Sequence, residues 1–191
     1  MRIVAGTFRG RPLVAPKGHS TRPTADRARQ AIFNVLEHAA WSPGLEGLRV
    51  IDLYAGSGAL GIEAISRGAA FCLFLDRAED ARAAIRANAD YLDLGPRARP
   101  DRRDAASPGR LSPGDGAPFD LAFLDPPYGA GLAETSLNAL AAGGWLAAAA
   151  VAVVERGVAD PVVVPVGFEP LDERVWGAAR VSFLRYSPLA A

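Results

Sequence analysis

A glycine-rich loop between an apolar strand and a helix is the feature that most restricts the fold of this chain. The stretch VIDLYAGSGALG places Gly56, Gly58 and Gly61 in the G-x-G-x-x-G spacing directly after the apolar residues 48–54. Glycines at this spacing allow a tight turn and bring a ligand close to the backbone. Asp76 follows Gly56 by twenty residues, where it can accept hydrogen bonds from a ribose. The loop therefore predicts an α/β fold with a site for a ligand that contains adenosine.

Strands and helices are predicted to alternate from residue 48 onwards, and successive β-α units imply a parallel sheet. Apolar runs predict strands at 48–54, 71–76, 98–102, 119–125 and 145–155, and helical spacing predicts helices at 59–67, 78–92 and 132–142. The third strand has little apolar content, and the Gly/Pro-rich residues 107–118 predict a surface loop. Apolar segments near 162–166, 174–176 and 181–186, the last two separated by Gly177, predict a closing hairpin.

The amino-terminal segment is predicted to form a small extension. Residues 2–14 predict two short strands around Gly6–Gly10, and residues 24–40 predict a helix that Thr24 can cap. We therefore expect residues 1–40 to form a basic hairpin and helix packed on the main domain, residues 41–191.

Charge and composition indicate which kinds of molecule the chain can bind. Half of its 191 residues are apolar, which suits one domain with a sizeable core. The formal charge is zero, yet residues 1–30 hold seven Lys and Arg residues against the single acid Asp26. This asymmetry indicates nucleic acid or another polyanion, although a solvated basic face is the alternative interpretation.

Cysteine, histidine and hydropathy patterns argue against several classes of protein. Cys72 is the only cysteine, so no internal disulfide can form, and its apolar neighbours predict a buried thiol. With only two separated histidines, His19 and His38, we see no zinc spacing and expect no bound metal. The longest apolar run, residues 145–154, is too short to span a bilayer, and no signal peptide is recognisable. We expect a soluble cytoplasmic protein.

The position of Asp52 indicates which adenosine-containing ligand the glycine loop binds. It ends the first predicted strand beside the glycine loop, where a carboxylate would repel a pyrophosphate but attract an ammonium group. S-adenosylmethionine carries adenosine, an amino acid and no phosphate, so it fits this position better than NAD does. The alternative is that Asp52 only caps the following turn. Asp104, after the third strand, is a candidate for the adenine amino group or a plain loop residue.

The second unusual stretch is FLDPPYGAG, in which a strand ends at Asp125 and continues into Pro126, Pro127 and Tyr128. Consecutive prolines fix the backbone on leaving the sheet. Asp125 and the Pro126 carbonyl can accept the two hydrogens of an exocyclic amino group, while Tyr128 stacks on the base and the nitrogen attacks a methyl donor. Guanine N2, adenine N6 and cytosine N4 all satisfy this chemistry.

These motifs together resemble class I S-adenosylmethionine-dependent methyltransferases, and more closely the RsmD family of bacterial 16S ribosomal RNA guanine-N2 methyltransferases. The resemblance lies in RIVAGTFRGRPL, TRPTADRARQAIFN, DLYAGSGALGIEAISRGA, LAFLDPPY and VWGAARVSFLRY. It implies a Rossmann-like fold whose seven-stranded, mostly parallel sheet has the order 3-2-1-4-5-7-6, with helices on both faces. It also implies methylation of guanine 966 in 16S ribosomal RNA. Naked RNA and a small-subunit assembly particle both remain open as the substrate, and we expect the protein to act as a monomer.

The resemblance assigns residues by motif. The predicted cofactor site comprises Asp52, Tyr54, Gly56, Gly58, Asp76, Arg77, Asp104 and Ala105, the target-base site comprises Asp125, Pro126, Pro127 and Tyr128, and RNA would contact Arg9, Arg11, Arg22 and Arg27. Phosphate contacts by these arginines would make binding depend on salt. The family often has Glu where this chain has Asp76, and commonly a helix where this chain has its Gly/Pro-rich stretch.

Two interpretations from other classes remain open. An NAD-dependent oxidoreductase would explain the glycine spacing and Asp76, but neither Asp52 nor DPPY. A non-catalytic RNA-binding module would keep the fold without the reaction, and the intact DPPY sequence argues against it.

Overall fold

The computed structural model describes residues 1–16, 23–127, 129, 131–161 and 164–188, with the side chains of 23–26 left out. Within these ranges the helices are α1 (Pro23–His38), α2 (Ala59–Ser66), α3 (Glu79–Tyr91) and α4 (Leu132–Ala142). The strands are β1 (Arg49–Leu53), β2 (Phe71–Leu75), β3 (Ala98–Asp101), β4 (Phe119–Leu124), β5 (Leu146–Gly157), β6 (Phe168–Trp176) and β7 (Ala179–Tyr186). The main-domain helices and strands β1–β5 and β7 lie close to their predicted positions. β6 includes the predicted segment 174–176 but begins at Phe168, and the apolar segment predicted near 162–166 forms no strand in its described part, residues 164–166.

The strands form one sheet in the order β3-β2-β1-β4-β5-β7-β6, which confirms the predicted topology. The first five strands of this order are parallel, and β7 runs antiparallel to both β5 and β6. The chain order reverses between β1 and β4, where Leu53 pairs with Leu124. Ligands of open α/β sheets bind where the order reverses, so the ends of these two strands locate the site.

The hydrophobic core occupies both faces of the sheet, because successive residues of a strand point to opposite faces. In β1, Val50 packs with Phe33 of α1 and Ile62 of α2, whereas Ile51 packs in the second cluster with Leu137 of α4. Helices on both faces leave the central strands buried on both sides, so they are mostly apolar in the sequence. Cys72 is fully buried, as predicted.

The amino-terminal segment differs from its prediction, because residues 2–14 form a single isolated bridge between Arg2 and Pro12 instead of two strands. The chain does turn back on itself, and the N–H of Gly10 donates to the Ile3 carbonyl at 2.8 Å. Two further backbone hydrogen bonds join the two halves of this turn, from the N–H of Ile3 to the Arg11 carbonyl at 3.0 Å and from the N–H of Leu13 to the Met1 carbonyl at 3.1 Å. The pairing does not extend to Val4 and Ala5. The N–H groups of Val4 and Ala5 donate to the Glu63 carboxylate at 2.8 and 3.0 Å.

Helix α2 therefore holds the amino-terminal segment by its side chains. The N–H of Phe8 donates to Ser66 Oγ at 3.0 Å, and Ser66 Oγ donates to the carbonyl of Ala5 at 2.6 Å. Glu63 is fully buried and also contacts Arg29 and Arg67, at 3.6 and 2.8 Å. These contacts fix the segment against helix α2.

Asp115 organises the Gly/Pro-rich stretch between β3 and β4. Its carboxylate accepts hydrogen bonds from the Arg103 guanidinium, at 2.6 and 3.0 Å, and from Ser112 Oγ at 2.7 Å. The Arg103 bonds hold the pKa of Asp115 far below its usual range. A short 3-10 helix, Pro113–Asp115, forms within this loop. Across the described ranges of the chain, no helix has the length and apolar character required to cross a membrane.

Candidate active site

A cavity of about 700 Å³ opens at the carboxyl ends of the central strands. The glycine loop, the ends of β2, β4 and β5, helix α1 and the amino-terminal segment all contribute to its wall. Six residues assigned from the sequence line it: Asp52, Tyr54, Gly56, Asp76, Asp125 and Pro127. The structure thus brings the predicted cofactor loop and the predicted base site to one cavity.

The three glycines of the loop have different roles. Gly56 has φ +54°, and the nearest atom to an added Cβ there is the Tyr54 carbonyl oxygen at 4.0 Å, so its surroundings are open. A Cβ on Gly61 would lie 2.4 Å from both Cys72 Sγ and Phe74 Cε1. Gly58 has φ +78°, and its Cβ would meet Ile85 at 3.1 Å. Gly56 therefore faces the cavity, whereas Gly58 and Gly61 let the helix pack closely on the sheet.

Asp76 is fixed in position by two backbone donors. Its Oδ2 accepts a hydrogen bond from the N–H of Gly56 and its Oδ1 from the N–H of Ala78, both at 2.9 Å. Because each carboxylate oxygen can accept more than one hydrogen bond, Asp76 retains acceptor capacity towards the cavity. That capacity suits the hydroxyl groups of a ribose.

Asp52 both supports the helix and lines the cavity. Its Oδ2 accepts a hydrogen bond from the N–H of Gly61 at 2.9 Å, which is the turn-capping role considered as the alternative. Burial raises the pKa of Asp52 well above its usual range, the Gly61 bond opposes the rise, and the charges of Asp125 and Asp76 add to it. A ligand cation in the cavity would favour the charged form of this carboxyl group.

Asp125 follows β4 directly and stands at the rim of the cavity. Its side chain is exposed to the cavity, yet protein atoms surround it on its other sides. This partial loss of hydration, together with the charge of Glu155, raises the pKa of Asp125 to about 7. Pro126 is buried, and Pro127 lies between the main cavity and a second one of about 110 Å³. Tyr128, the fourth predicted residue, lies outside the described residues.

Other predicted cofactor residues lie away from the described lining of the cavity. Arg77 and Asp104 form an exposed ion pair with an N–O distance of 3.2 Å, and Ala105 is buried in the core. Asp104 also accepts a hydrogen bond from the N–H of Ala106 at 3.0 Å, as an ordinary loop aspartate does. The contact of Asp104 with adenine stays a prediction.

Three of the four predicted RNA-binding arginines lie among the described residues; Arg22 does not. Arg9, Arg11 and Arg27 are exposed. The guanidinium of Arg11 lies 5.7 Å from the ring centroid of Phe8, a distance at which cation-π attraction operates. Their contacts with RNA remain predictions.

Three charged residues in the cavity wall were not anticipated from the sequence: Arg29, Asp80 and Glu155. Glu155 is near the end of β5, beside Asp125, and Arg29 comes from α1 and is 4% exposed. The rule that located Asp52 and Asp125, an acid at the carboxyl end of an apolar strand, applies equally to Glu155. Nothing local distinguishes Arg29 from other arginines of an amphipathic helix. Among the residues that the structure describes, no group of three or more His, Cys, Asp or Glu is arranged to hold a metal ion.

The strand order, the glycine loop and the acid-lined cavity define the fold of a class I methyltransferase. The magnesium protoporphyrin IX methyltransferase of Synechocystis PCC 6803, solved with bound SAM, shares this fold. The TM-score is 0.61 over 89% of this chain and 87% of that chain, and the 16% identity supports the fold alone.

The model of the family described as conserved hypothetical protein 95 matches residues 1–185, and the chain belongs to this family, the RsmD family. It is 35% identical over 178 residues to Ribosomal RNA small subunit methyltransferase D of Escherichia coli K12, covering 93% of this chain and 85% of the relative. The solved structure of the Escherichia coli protein yhhF has 32% identity and a TM-score of 0.82, with 99% of both chains covered.

Proposed function

We propose that this protein transfers a methyl group from S-adenosylmethionine to the exocyclic N2 amino group of a guanine in 16S ribosomal RNA. The observation that carries the proposal is the position of Asp125 on the same cavity as Asp52, Gly56 and Asp76. The family and its methyltransferase relatives support the reaction and the RNA substrate. The guanine base and its position, of the 966 type, rest on the resemblance.

The charges of the cavity fit S-adenosylmethionine better than a dinucleotide. Asp52, Asp76, Asp125 and Glu155 surround the space with carboxyl groups, which repel a pyrophosphate and attract ammonium and sulfonium groups. Arg29 adds a cation to the same wall, which suits the carboxylate of the cofactor. When bound, S-adenosylmethionine supplies an electrophilic methyl group on sulfur. Gly56 allows close approach of a nucleoside to the backbone because its position has no Cβ.

Asp125 would act by orienting and then deprotonating the attacking nitrogen. Its carboxylate accepts one hydrogen of the amino group, and the Pro126 carbonyl accepts the other, so the nitrogen lone pair is directed at the methyl carbon. The N–C bond forms as the C–S bond breaks, and the positive charge passes to nitrogen. A proton then leaves nitrogen for Asp125 or water. With its pKa raised to about 7, Asp125 is matched to proton transfer near neutral pH.

The proposed substrate is 16S ribosomal RNA in the cytoplasm, either naked or within a small-subunit assembly particle, and the protein is proposed to act as a monomer. Exposed Arg9, Arg11 and Arg27 would neutralise phosphates. We expect transfer to particles to decrease as salt increases, and substitution of each arginine to reduce that dependence.

The test is methyl transfer from tritiated S-adenosylmethionine to unmodified 16S ribosomal RNA, both naked and in small-subunit particles. After digestion to nucleosides, mass spectrometry should find N2-methylguanosine. N6-methyladenosine or N4-methylcytidine would support the other bases instead. RNA binding without transfer would support a non-catalytic module. Calorimetric binding of NAD, without binding of S-adenosylhomocysteine, would support an oxidoreductase.

A further inference from the structure

We propose that Glu155 selects guanine by accepting a hydrogen bond from the ring N1–H of the base whose amino group contacts Asp125. The inference rests on the proposed function and adds the residue that distinguishes guanine from adenine and cytosine. The DPPY sequence cannot make this distinction, because all three bases present an exocyclic amino group.

The register of two neighbouring strands places Asp125 and Glu155 together. β4 and β5 are parallel, and Leu124 pairs with Val154, so the residues that follow, Asp125 and Glu155, emerge side by side at the same edge of the sheet. Both line the 700 Å³ cavity. Burial and the negative charge of Glu155 both act on the Asp125 carboxyl group, which places the two groups within electrostatic reach.

Glu155 also lies where a base would have to enter. It lines the second cavity of about 110 Å³ together with Pro126 and Pro127. Pro127 and Glu155 are common to both cavities, so this pair of residues separates them. A base whose amino group contacts Asp125 therefore has Glu155 beside its adjacent ring nitrogen.

The hydrogen-bonding edges of the three bases differ at that nitrogen. Guanine presents two neighbouring donors, N2–H and N1–H, which match two neighbouring carboxylates. In adenine and cytosine the ring nitrogen next to the amino group is N1 or N3 and carries a lone pair. A carboxylate facing a lone pair is repelled and loses its hydration without compensation, and such an unpaired buried polar group is costly. The pair Asp125 and Glu155 therefore favours guanine and disfavours the other two bases.

The test compares guanosine with 2-aminopurine at the methylated position of the RNA. 2-Aminopurine keeps the exocyclic 2-amino group but has no hydrogen on N1. The position is first mapped with the wild-type protein, and the analogue is then introduced into 16S ribosomal RNA by splinted ligation. Wild-type kcat/KM should be about 10- to 100-fold higher for guanosine, as for the loss of one base-specific contact of 1–3 kcal/mol.

Glu155→Gln removes the carboxylate with little change of shape, and Glu155→Ala removes the polar group entirely. Glu155→Ala should lose about 10- to 100-fold in kcat/KM on guanosine and less than about threefold on 2-aminopurine, so its preference should largely disappear. Glu155→Gln keeps an amide oxygen that can accept from N1–H, so its loss on guanosine should be smaller than that of the alanine variant. Glu169→Gln, a change of an exposed glutamate on β6, is the matched control and should keep the wild-type preference. Calorimetric binding of S-adenosylhomocysteine to each variant verifies an intact cofactor site.

Each outcome bears on the inference. Equal losses on the two substrates would mean that Glu155 serves the reaction in general and does not recognise N1–H. If the wild-type kcat/KM were nearly the same for guanosine and 2-aminopurine, the inference would be refuted by the wild-type protein alone. Absence of N2-methylguanosine with the wild-type protein would instead refute the proposed function. Formation of N2-methylguanosine with an unchanged preference in the variants would refute the inference alone.

Discussion

The carboxylate of Asp76 accepts a hydrogen bond from the N–H of Gly56 and joins the end of β2 to the glycine loop. Its second oxygen accepts from the N–H of Ala78, just before α3 begins. One side chain therefore holds the two loops that border the cavity, and it lines that cavity as well.

Asp76→Ala should weaken binding of S-adenosylhomocysteine by at least about tenfold. The substitution removes bonds to a charged acceptor, each worth about 1.5–3 kcal/mol, and releases Gly56 from its position. Isothermal titration calorimetry measures the change. Asp90→Ala, on the exposed side of α3, is the control and should bind within about twofold of the wild type, since surface changes cost little. An unchanged affinity of the Asp76 variant would contradict its role in the loop.

Gly56→Ala and Gly61→Ala should have different effects. Alanine at position 61 places Cβ against Cys72 and Phe74, so it should reduce the free energy of unfolding by about 1–3 kcal/mol or more. Alanine at position 56 meets open space but a strained φ of +54°, which costs about 1–2 kcal/mol, and it faces the cavity. Urea denaturation and titration with S-adenosylhomocysteine compare them. Only the position 56 variant should lose affinity while folded, and equal effects on affinity would refute the assignment.

Asp125→Ala should abolish methyl transfer while leaving cofactor binding within about threefold. Asp125 orients the amino group and takes up its proton, and loss of such a group costs about 10²- to 10⁴-fold in rate. Single-turnover transfer and calorimetry with S-adenosylhomocysteine separate the two effects. Asp125→Asn tests charge at constant shape and should also be slow. An Asp125→Ala variant with wild-type turnover would exclude the mechanism.

The rate of methyl transfer should rise with pH through about 7. Asp125 can take up the proton, and accept hydrogen bonds with both of its oxygens, only when it is deprotonated. Burial and the Glu155 charge raise its pKa to about 7. Below that pH the protonated form is inactive, and above it the rate is maximal. Glu155→Gln removes a neighbouring negative charge, so the pKa of Asp125 should fall and the rising limb should move to lower pH. The test is a pH-rate profile of single-turnover transfer for both proteins. If the rate rose over the same pH range in Glu155→Gln as in the wild type, the effect of the Glu155 charge on the pKa of Asp125 would be refuted.

Glu63→Ala should reduce the free energy of unfolding by about 3–5 kcal/mol, as for removal of one partner of a buried ion pair. The change leaves the N–H groups of Val4 and Ala5 without their acceptor, and the Arg29 and Arg67 guanidinium groups without this carboxylate. Urea denaturation measures it. Glu169→Ala, at an exposed position, should change stability by less than about 0.5 kcal/mol. A small effect at position 63 would mean that apolar packing and the hydrogen bonds with Ser66 suffice to hold the amino-terminal segment.

The order of elements and part of the site followed from local patterns in the sequence. Residues 49–53 and 119–124 are mostly apolar because both faces of these strands are buried, and α3 repeats its apolar residues at helical spacing. The loop around Gly56 and the acids that end β1 and β4 were evident for the same reason, since each depends on a few consecutive residues. The resemblance to the RsmD family then supplied the strand order.

Contacts between distant parts of the chain could be known only from the folded structure. The amino-terminal residues looked like two strands, yet Glu63 and Ser66, nearly sixty positions away, accept hydrogen bonds from the N–H groups of Val4, Ala5 and Phe8. The backbone pairing is therefore confined to the residues on either side. Likewise, the pairing of Leu124 with Val154 places Glu155 beside Asp125, and the packing of α1 brings Arg29 to the cavity. Backbone preference and apolar periodicity act over one or two turns of chain, whereas the partners of a polar group are chosen by register and packing across the whole sheet.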